Sequence, residues 1–76
     1  MKPTHQQHND FLAHKPLPDV AFEHNDSVVV IGGFREGTLG VIISVEELGN
    51  DPTYLVELDT GQDSYLLQSL LRTHVA

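Results

Sequence analysis

The sequence predicts an all-β fold, a small antiparallel barrel of about five strands with an N-terminal arm. Three observations predict it. From residue 25 onward, short runs rich in β-branched and aromatic residues alternate with turn residues. The connections between these runs are short, which favours an antiparallel meander. Gly40 lies inside the second run, where a residue without a side chain permits the sharp bend of a closing barrel.

The strands are predicted at residues 27–31, 38–45, 53–58 and 63–67. In the third strand, apolar and polar residues alternate in the manner of a half-buried sheet, with Tyr54, Val56 and Leu58 on one face. The polar residues 46–52 form a hairpin loop of moderate length between the second and third strands. Gly61 permits a tight turn between the third and fourth, because glycine adopts positive φ without steric cost.

The end of the chain is predicted to complete the barrel. Residues 68–71 are too short for a packed α-helix but fit a single 3-10 turn, and residues 72–75 supply a short closing strand. This order of strands and turn is expected of an SH3-like barrel. Residues 28–31 and 41–43 are apolar on both faces, which is typical of strands covered on two sides. The outer cover is either the N-terminal arm or a second copy of the chain, so a homo-oligomer is one of the expectations.

The chain is expected to divide into three parts. Residues 1–10 are polar and without periodicity, which predicts a disordered tail. Residues 11–24 are predicted to form an extended arm, because Pro16 and Pro18 exclude a helix interior. Residues 25–76 form the barrel. The apolar side chains of the arm need cover, and we expect them to pack on the outside of the barrel: Phe11, Leu12, Leu17, Val20 and Phe22.

Composition restricts the function. The chain has 76 residues, with 11 acidic and 4 basic side chains and a formal net charge of −7. This balance disfavours a surface that follows nucleic-acid phosphates. The sequence contains no cysteine, which excludes disulfides and thiolate chemistry and favours a reducing compartment. Neither a secretory signal nor a membrane-spanning stretch is recognisable, so a cytoplasmic protein without membrane contact is expected.

Glycines and apolar residues recur at fixed spacing over residues 26–45. The positions of this pattern are Asp26, Val28, Val30, Gly33, Gly37, Gly40 and Ile42. Physically, Gly33 and Gly37 permit the reversal between the first two strands. The pattern resembles the KOW motif of bacterial transcription elongation factors and several ribosomal proteins. The resemblance implies a bacterial SH3-like barrel whose loops at one end bind RNA or other proteins.

The working hypothesis is a non-enzymatic module that binds a protein partner. Acidic loops favour a basic partner, attracted by electrostatic steering. An accessory subunit, a regulator and an antitoxin-like immunity protein all remain open. The candidate contact residues lie in the loop of residues 32–37 and in the acidic loop of residues 46–52, and they are Phe34, Arg35, Glu36, Glu46, Glu47 and Asp51.

The alternative is a KOW-type RNA or ribonucleoprotein binder that uses Phe34, Arg35 and Arg72. Glu36 and the acidic loop would repel phosphate, and a single aromatic ring is a small stacking platform. We expect Phe34 to pack partly beside the barrel. The protein-partner hypothesis is therefore preferred.

No catalytic or metal-binding arrangement is recognised. Glu46 and Glu47 lie in a loop without apolar surroundings, which disfavours general-acid chemistry, and no serine has a nucleophile-elbow context. His5 and His8 lie outside any predicted regular element, so neither a metal site nor a cofactor is expected. A remote enzymatic alternative is a type II dihydrofolate reductase, whose central strand is similar to residues 54–57. The similarity fails at residues 62–66, where the functional stretch of that family should lie.

Overall fold

A computed structural model describes residues 1–75. Five strands form one antiparallel sheet. The prediction of a small all-β fold, with a 3-10 turn before the last strand, is confirmed. The elements along the chain are α1 (His5–Leu12), β1 (Ser27–Val30), β2 (Leu39–Glu47), β3 (Thr53–Leu58), β4 (Asp63–Leu67), the 3-10 turn (Gln68–Leu70) and β5 (Leu71–Thr73). Across the sheet the strands lie in the order β4-β3-β2-β1-β5.

The sheet is bent but open within the described residues. Strands β4 and β5 are its two edges and do not pair with each other in residues 1–75, so no ladder of hydrogen bonds closes a barrel. Register shifts in β2 between Ile42 and Ser44, and between Val45 and Glu47, mark the positions where this strand bends along β3. The 3-10 turn then carries the chain from one edge of the sheet to the other.

Gly40 lies where β2 passes closest to β3. It pairs with Val28 on one side and Leu58 on the other. A Cβ atom here would come within 2.7 Å of Val56 Cγ1 and 3.0 Å of the Glu57 carbonyl oxygen. The close approach of β2 to β3 at this position therefore leaves room only for a glycine.

The core lies on the inner face of the sheet, with side chains from all five strands. Two rings from the N-terminal segment complete it: Phe11 and Phe22 lie 6.3 Å and 5.5 Å from the Tyr54 ring, centroid to centroid. The expectation that the arm packs on the outside of the sheet is therefore wrong. An open sheet cannot fill its own concave side, and these rings supply the missing apolar volume. The sheet residues of the core are Val28, Val30, Ile42, Val45, Tyr54, Val56, Leu58, Leu66 and Leu71.

The expectation of a disordered tail over residues 1–10 is also wrong, because helix α1 begins at His5. A capping box starts this helix. The Gln7 amide donates to Thr4 Oγ1 at 3.1 Å, and Gln7 Oε1 accepts from the Thr4 amide at 2.8 Å. An isolated helix of eight residues is marginal in water, so its stability depends on docking Phe11 into the core.

The arm after α1 is a series of turns rather than one extended run. His14, Asp19 and Asn25 have left-handed backbone, with φ of 61°, 62° and 71°. The side chain of Gln68 holds the arm against the 3-10 turn, since its Oε1 accepts from the Ala21 amide at 2.9 Å and its Nε2 donates to the Asp19 carbonyl at 3.1 Å. No helix within residues 1–75 combines the length and apolarity that a membrane span requires.

Tyr54 gives the fold a testable dependence on pH. Burial raises the pKa of its hydroxyl above the ordinary value of 10.0. The unfolded chain therefore ionises first, and we expect the free energy of unfolding to fall as pH rises through 10 towards the folded pKa. Chemical denaturation of the wild type and of Tyr54→Phe at pH 8 to 11 measures this. The variant should show a shallower decline, and parallel curves would contradict the assignment.

Candidate functional site

The loop of residues 31–38 joins β1 to β2 and has a defined backbone. Gly33 and Gly37 adopt positive φ of 82° and 89°, as the predicted chain reversal requires. The Gly37 amide donates to the Val30 carbonyl at 2.7 Å, and the Thr38 amide donates to the Arg35 carbonyl at 3.1 Å. These bonds fix the loop on the end of β1, so its side chains are presented from an ordered support.

Phe34 projects from this loop into solvent, with 97% of its surface exposed. The expectation that it packs beside the barrel is wrong, because the loop turns the ring away from the sheet. The Arg35 guanidinium carbon lies 5.6 Å from the centroid of the ring, within the range of a cation–π contact. Glu36 follows on the same loop and is also exposed. The structure thus brings three of the six predicted contact residues together.

Glu46 and Glu47 lie at the other end of β2. Because a strand rises about 3.3 Å per residue, the two ends of this strand are roughly 25 Å apart along its path. Glu46 accepts a hydrogen bond from Ser44 Oγ at 2.6 Å, and Glu47 Oε2 lies 3.7 Å from Lys2 Nζ. This ion pair is exposed and contributes little to stability. Both carboxylates border a depression of about 390 Å³ beside Tyr65.

The carboxylate of Asp51 accepts two hydrogen bonds from the 3-10 turn. Its Oδ1 accepts from the Ser69 amide at 2.8 Å, and its Oδ2 accepts from Ser69 Oγ at 2.6 Å. Glu46 and Glu47 are half-buried residues at the end of β2, so the predicted acidic loop is divided between this strand and a carboxylate that binds the 3-10 turn. The structure does not bring the six candidates onto one surface.

The outer face of β1 and β2 is a second candidate surface. Val29 is paired with Leu39, and Ser27 with Val41. The three apolar side chains of these pairs point away from the core, and Leu39 is 37% exposed. The apolar character of both faces of these strands is visible in the sequence. Within residues 1–75 the predicted cover is absent on this side, because the arm packs on the inner face.

The histidines of residues 1–75 are not arranged as a metal site. His5 and His8 lie on α1, contrary to the expectation that no regular element includes them. His14 Nδ1 lies 3.0 Å from Glu23 Oε2, and His24 Nδ1 lies 2.7 Å from the Ile43 carbonyl oxygen. In the part of the chain that the structure describes, no three His, Asp or Glu side chains are grouped as metal ligands.

No family model, curated protein or solved structure matches this chain. The resemblance of residues 26–45 to a KOW motif therefore stays a prediction, and the functional argument depends on the geometry of the two surfaces.

Proposed function

We propose that the chain is a non-enzymatic, cytoplasmic binding module whose loop of residues 32–37 docks on a protein partner. The observation that carries the proposal is the full exposure of Phe34 on a loop that hydrogen bonds hold in place. Phe34 inserts into an apolar pocket of the partner, with Arg35 and Glu36 at the rim.

The energetics of the ring support this role. Moving a phenylalanine side chain from water into an apolar pocket is favourable by about 1.5–3 kcal/mol. Aromatic and arginine side chains are also enriched among the residues that dominate interface affinity. Because glycine turns and backbone hydrogen bonds already order the loop, little conformational entropy remains to be lost on binding.

The charge of the chain favours a basic partner. With a formal charge of −7, the molecule attracts cationic surfaces and repels anionic ones at long range. Glu36 stands beside Phe34 on the docking loop, where it can meet a lysine or arginine at the rim of the pocket. Such rim charges affect the association rate and the choice of partner more than the affinity.

RNA binding is the second candidate, because an exposed ring with an adjacent guanidinium can also stack on an unpaired base. Arg72, the third residue of that hypothesis, lies on β5 opposite Val29 and outside the loop. The acidic balance of the chain opposes phosphate contact. Binding of mixed-sequence RNA in low salt, with a steep loss of affinity as salt rises, would overturn the protein-partner proposal.

Photo-crosslinking in the host tests the docking loop. Benzoylphenylalanine placed at Phe34 is expected to give one discrete protein adduct. The same probe at Tyr65, which is 67% exposed on β4, should not give that adduct. With the captured partner purified, Phe34→Ala should weaken binding at least about tenfold, as expected for an anchor residue, while Tyr65→Ala leaves affinity unchanged. A missing adduct, or equal affinities, would refute the proposal.

A further inference from the structure

The outer face of the sheet has an apolar centre between opposite charges. Val29 of β1 and Leu39 of β2 form a cross-strand pair at the centre. Arg72 of β5 is opposite Val29 on one side. On the other side the Asp59 amide donates to the Leu39 carbonyl at 2.9 Å, which places Asp59 opposite Leu39. The order across the four strands is therefore basic, apolar, apolar, acidic.

The neighbouring row has the same polarity. Val41 is paired with Ser27 on β1 and with Glu57 on β3. The His74 amide donates to the Ser27 carbonyl at 2.9 Å, so His74 lies at the basic end of this row. The carboxylate of Glu57 is at the acidic end. Both rows thus have carboxylates on the β3 side and a guanidinium or an imidazole on the β5 side.

These charges have no ion-pair partner within their own chain, as far as residues 1–75 are described. Adjacent strands lie about 4.8 Å apart, so Arg72 and Asp59 are roughly 14 Å from each other across three strand spacings. That distance is too long for a direct ion pair. The guanidinium and the carboxylate are therefore free to interact with another molecule.

We infer that this face pairs with a second copy of the chain, about a two-fold axis that runs parallel to the strands between β1 and β2. The rotation exchanges the two sides of the face. It places Arg72 of each copy over Asp59 and Glu57 of the other, and Val29 over Leu39. The contact is isologous, since the same surface serves both partners, and it keeps the strand directions aligned as in other packed sheets.

A groove on the face provides the receiving site for Arg72. Its volume is about 220 Å³, and it crosses the face from Ser27 and His74 to Glu57 and Asp59, with Leu39 and Val41 between them. The apolar stem of an arginine can lie against the leucine and the valine while the guanidinium bonds to the carboxylates. The acidic end of each copy thus receives the basic end of the other.

A second copy complements the charges of this face better than an unrelated basic protein does. A basic protein would pair with Glu57 and Asp59 but would leave Arg72 facing a like charge. The chain has only four basic side chains among 76 residues, and one of them lies at the edge of its uncovered apolar strip. The inference is separate from the docking role of Phe34, because it depends on a different surface.

Variants that reverse the charge of Arg72 or of Asp59 test whether two copies pair through this face. Sedimentation of the wild type from about 10 µM to 1 mM should show a monomer–dimer equilibrium, because a face this small gives an interface at the low end of the size range. Arg72→Glu alone and Asp59→Arg alone should each raise the dimer dissociation constant at least about tenfold. An equimolar mixture of the two variants should restore dimers. In each mixed dimer, one contact pairs the two introduced side chains, which have opposite charges, and the other contact pairs the native Arg72 with the native Asp59.

Several results would overturn the inference: a wild type that stays monomeric throughout this range, single variants that dimerise as well as the wild type, or a mixture no better than its components. Arg72→Lys is the matched control and should retain most of the dimer. A second measurement does not depend on any variant. In a mixed-isotope sample, intermolecular nuclear Overhauser contacts should join the methyl groups of Val29 and Leu39, and their absence in a dimer would place the interface elsewhere.

Discussion

Phe22→Ala is expected to remove a large share of the stability of this chain. The side chain is 8% exposed, and its ring meets the Tyr54 ring edge-on with centroids 5.5 Å apart. Truncation of a buried phenylalanine to alanine costs about 3–5 kcal/mol. A domain of this length has a total free energy of unfolding of roughly 4–11 kcal/mol. The variant should therefore be partly or wholly unfolded at 37 °C, as measured by circular dichroism and urea denaturation.

Phe34→Ala is the matched control, because it makes the same chemical change at a position that is 97% exposed. Its free energy of unfolding should stay within about 0.5 kcal/mol of the wild type. The difference between the two variants measures what the arm contributes as part of the core. If Phe22→Ala lowered the free energy of unfolding by less than about 1 kcal/mol, the arm would lie on the surface of the fold and would not be part of its core.

The strands could be predicted from the sequence because their signals are local. The bounds of β3 and β4 agree with the prediction, since Pro52 precedes one and the turn at Gly61 separates the two. The 3-10 turn was predictable in the same way, from the short gap before the last apolar run. Each of these signals lies within a few residues of the element it defines.

The placement of the N-terminal segment could not be predicted from local signals. Helix α1 does have one, the capping box of Thr4 and Gln7, but its eight residues show no apolar periodicity. Phe11 and Phe22 are apolar in any arrangement, and the sequence does not show which face of the sheet lacks cover. That depends on how far the sheet closes, which is a property of the whole fold.

The candidate surfaces were likewise predictable only where their residues are adjacent in the chain. Phe34, Arg35 and Glu36 are adjacent in the chain, and the structure keeps them together. The sequence predicts Asp51 in a binding loop, but its hydrogen-bond partner Ser69 lies 18 residues away and cannot be inferred from sequence proximity. The charged residues at the two sides of the outer face likewise lie beside its apolar centre only because the strands pair, although these residues are far apart in the sequence.

Gly40→Ala is expected to destabilise the fold through overpacking. The new methyl carbon would lie 2.7 Å from Val56 Cγ1 and 3.0 Å from the Glu57 carbonyl oxygen. The carbonyl belongs to the backbone of β3 and cannot move without disturbing its ladder with β2. Overpacking of this kind costs about 1–3 kcal/mol. Urea denaturation should show a lower midpoint with an unchanged slope.

Gly32→Ala is the control that isolates this contact. Its Cβ atom would meet only the Leu70 Cδ2 atom at 3.3 Å, the end of a flexible side chain. Both substitutions restrict the unfolded chain equally, which by itself favours the folded state by about 0.4–1 kcal/mol. The difference between the two variants therefore reports the approach of β2 to β3 at Gly40. Equal midpoints would mean that the strands can separate there without loss, and that the bend of the sheet does not depend on this glycine.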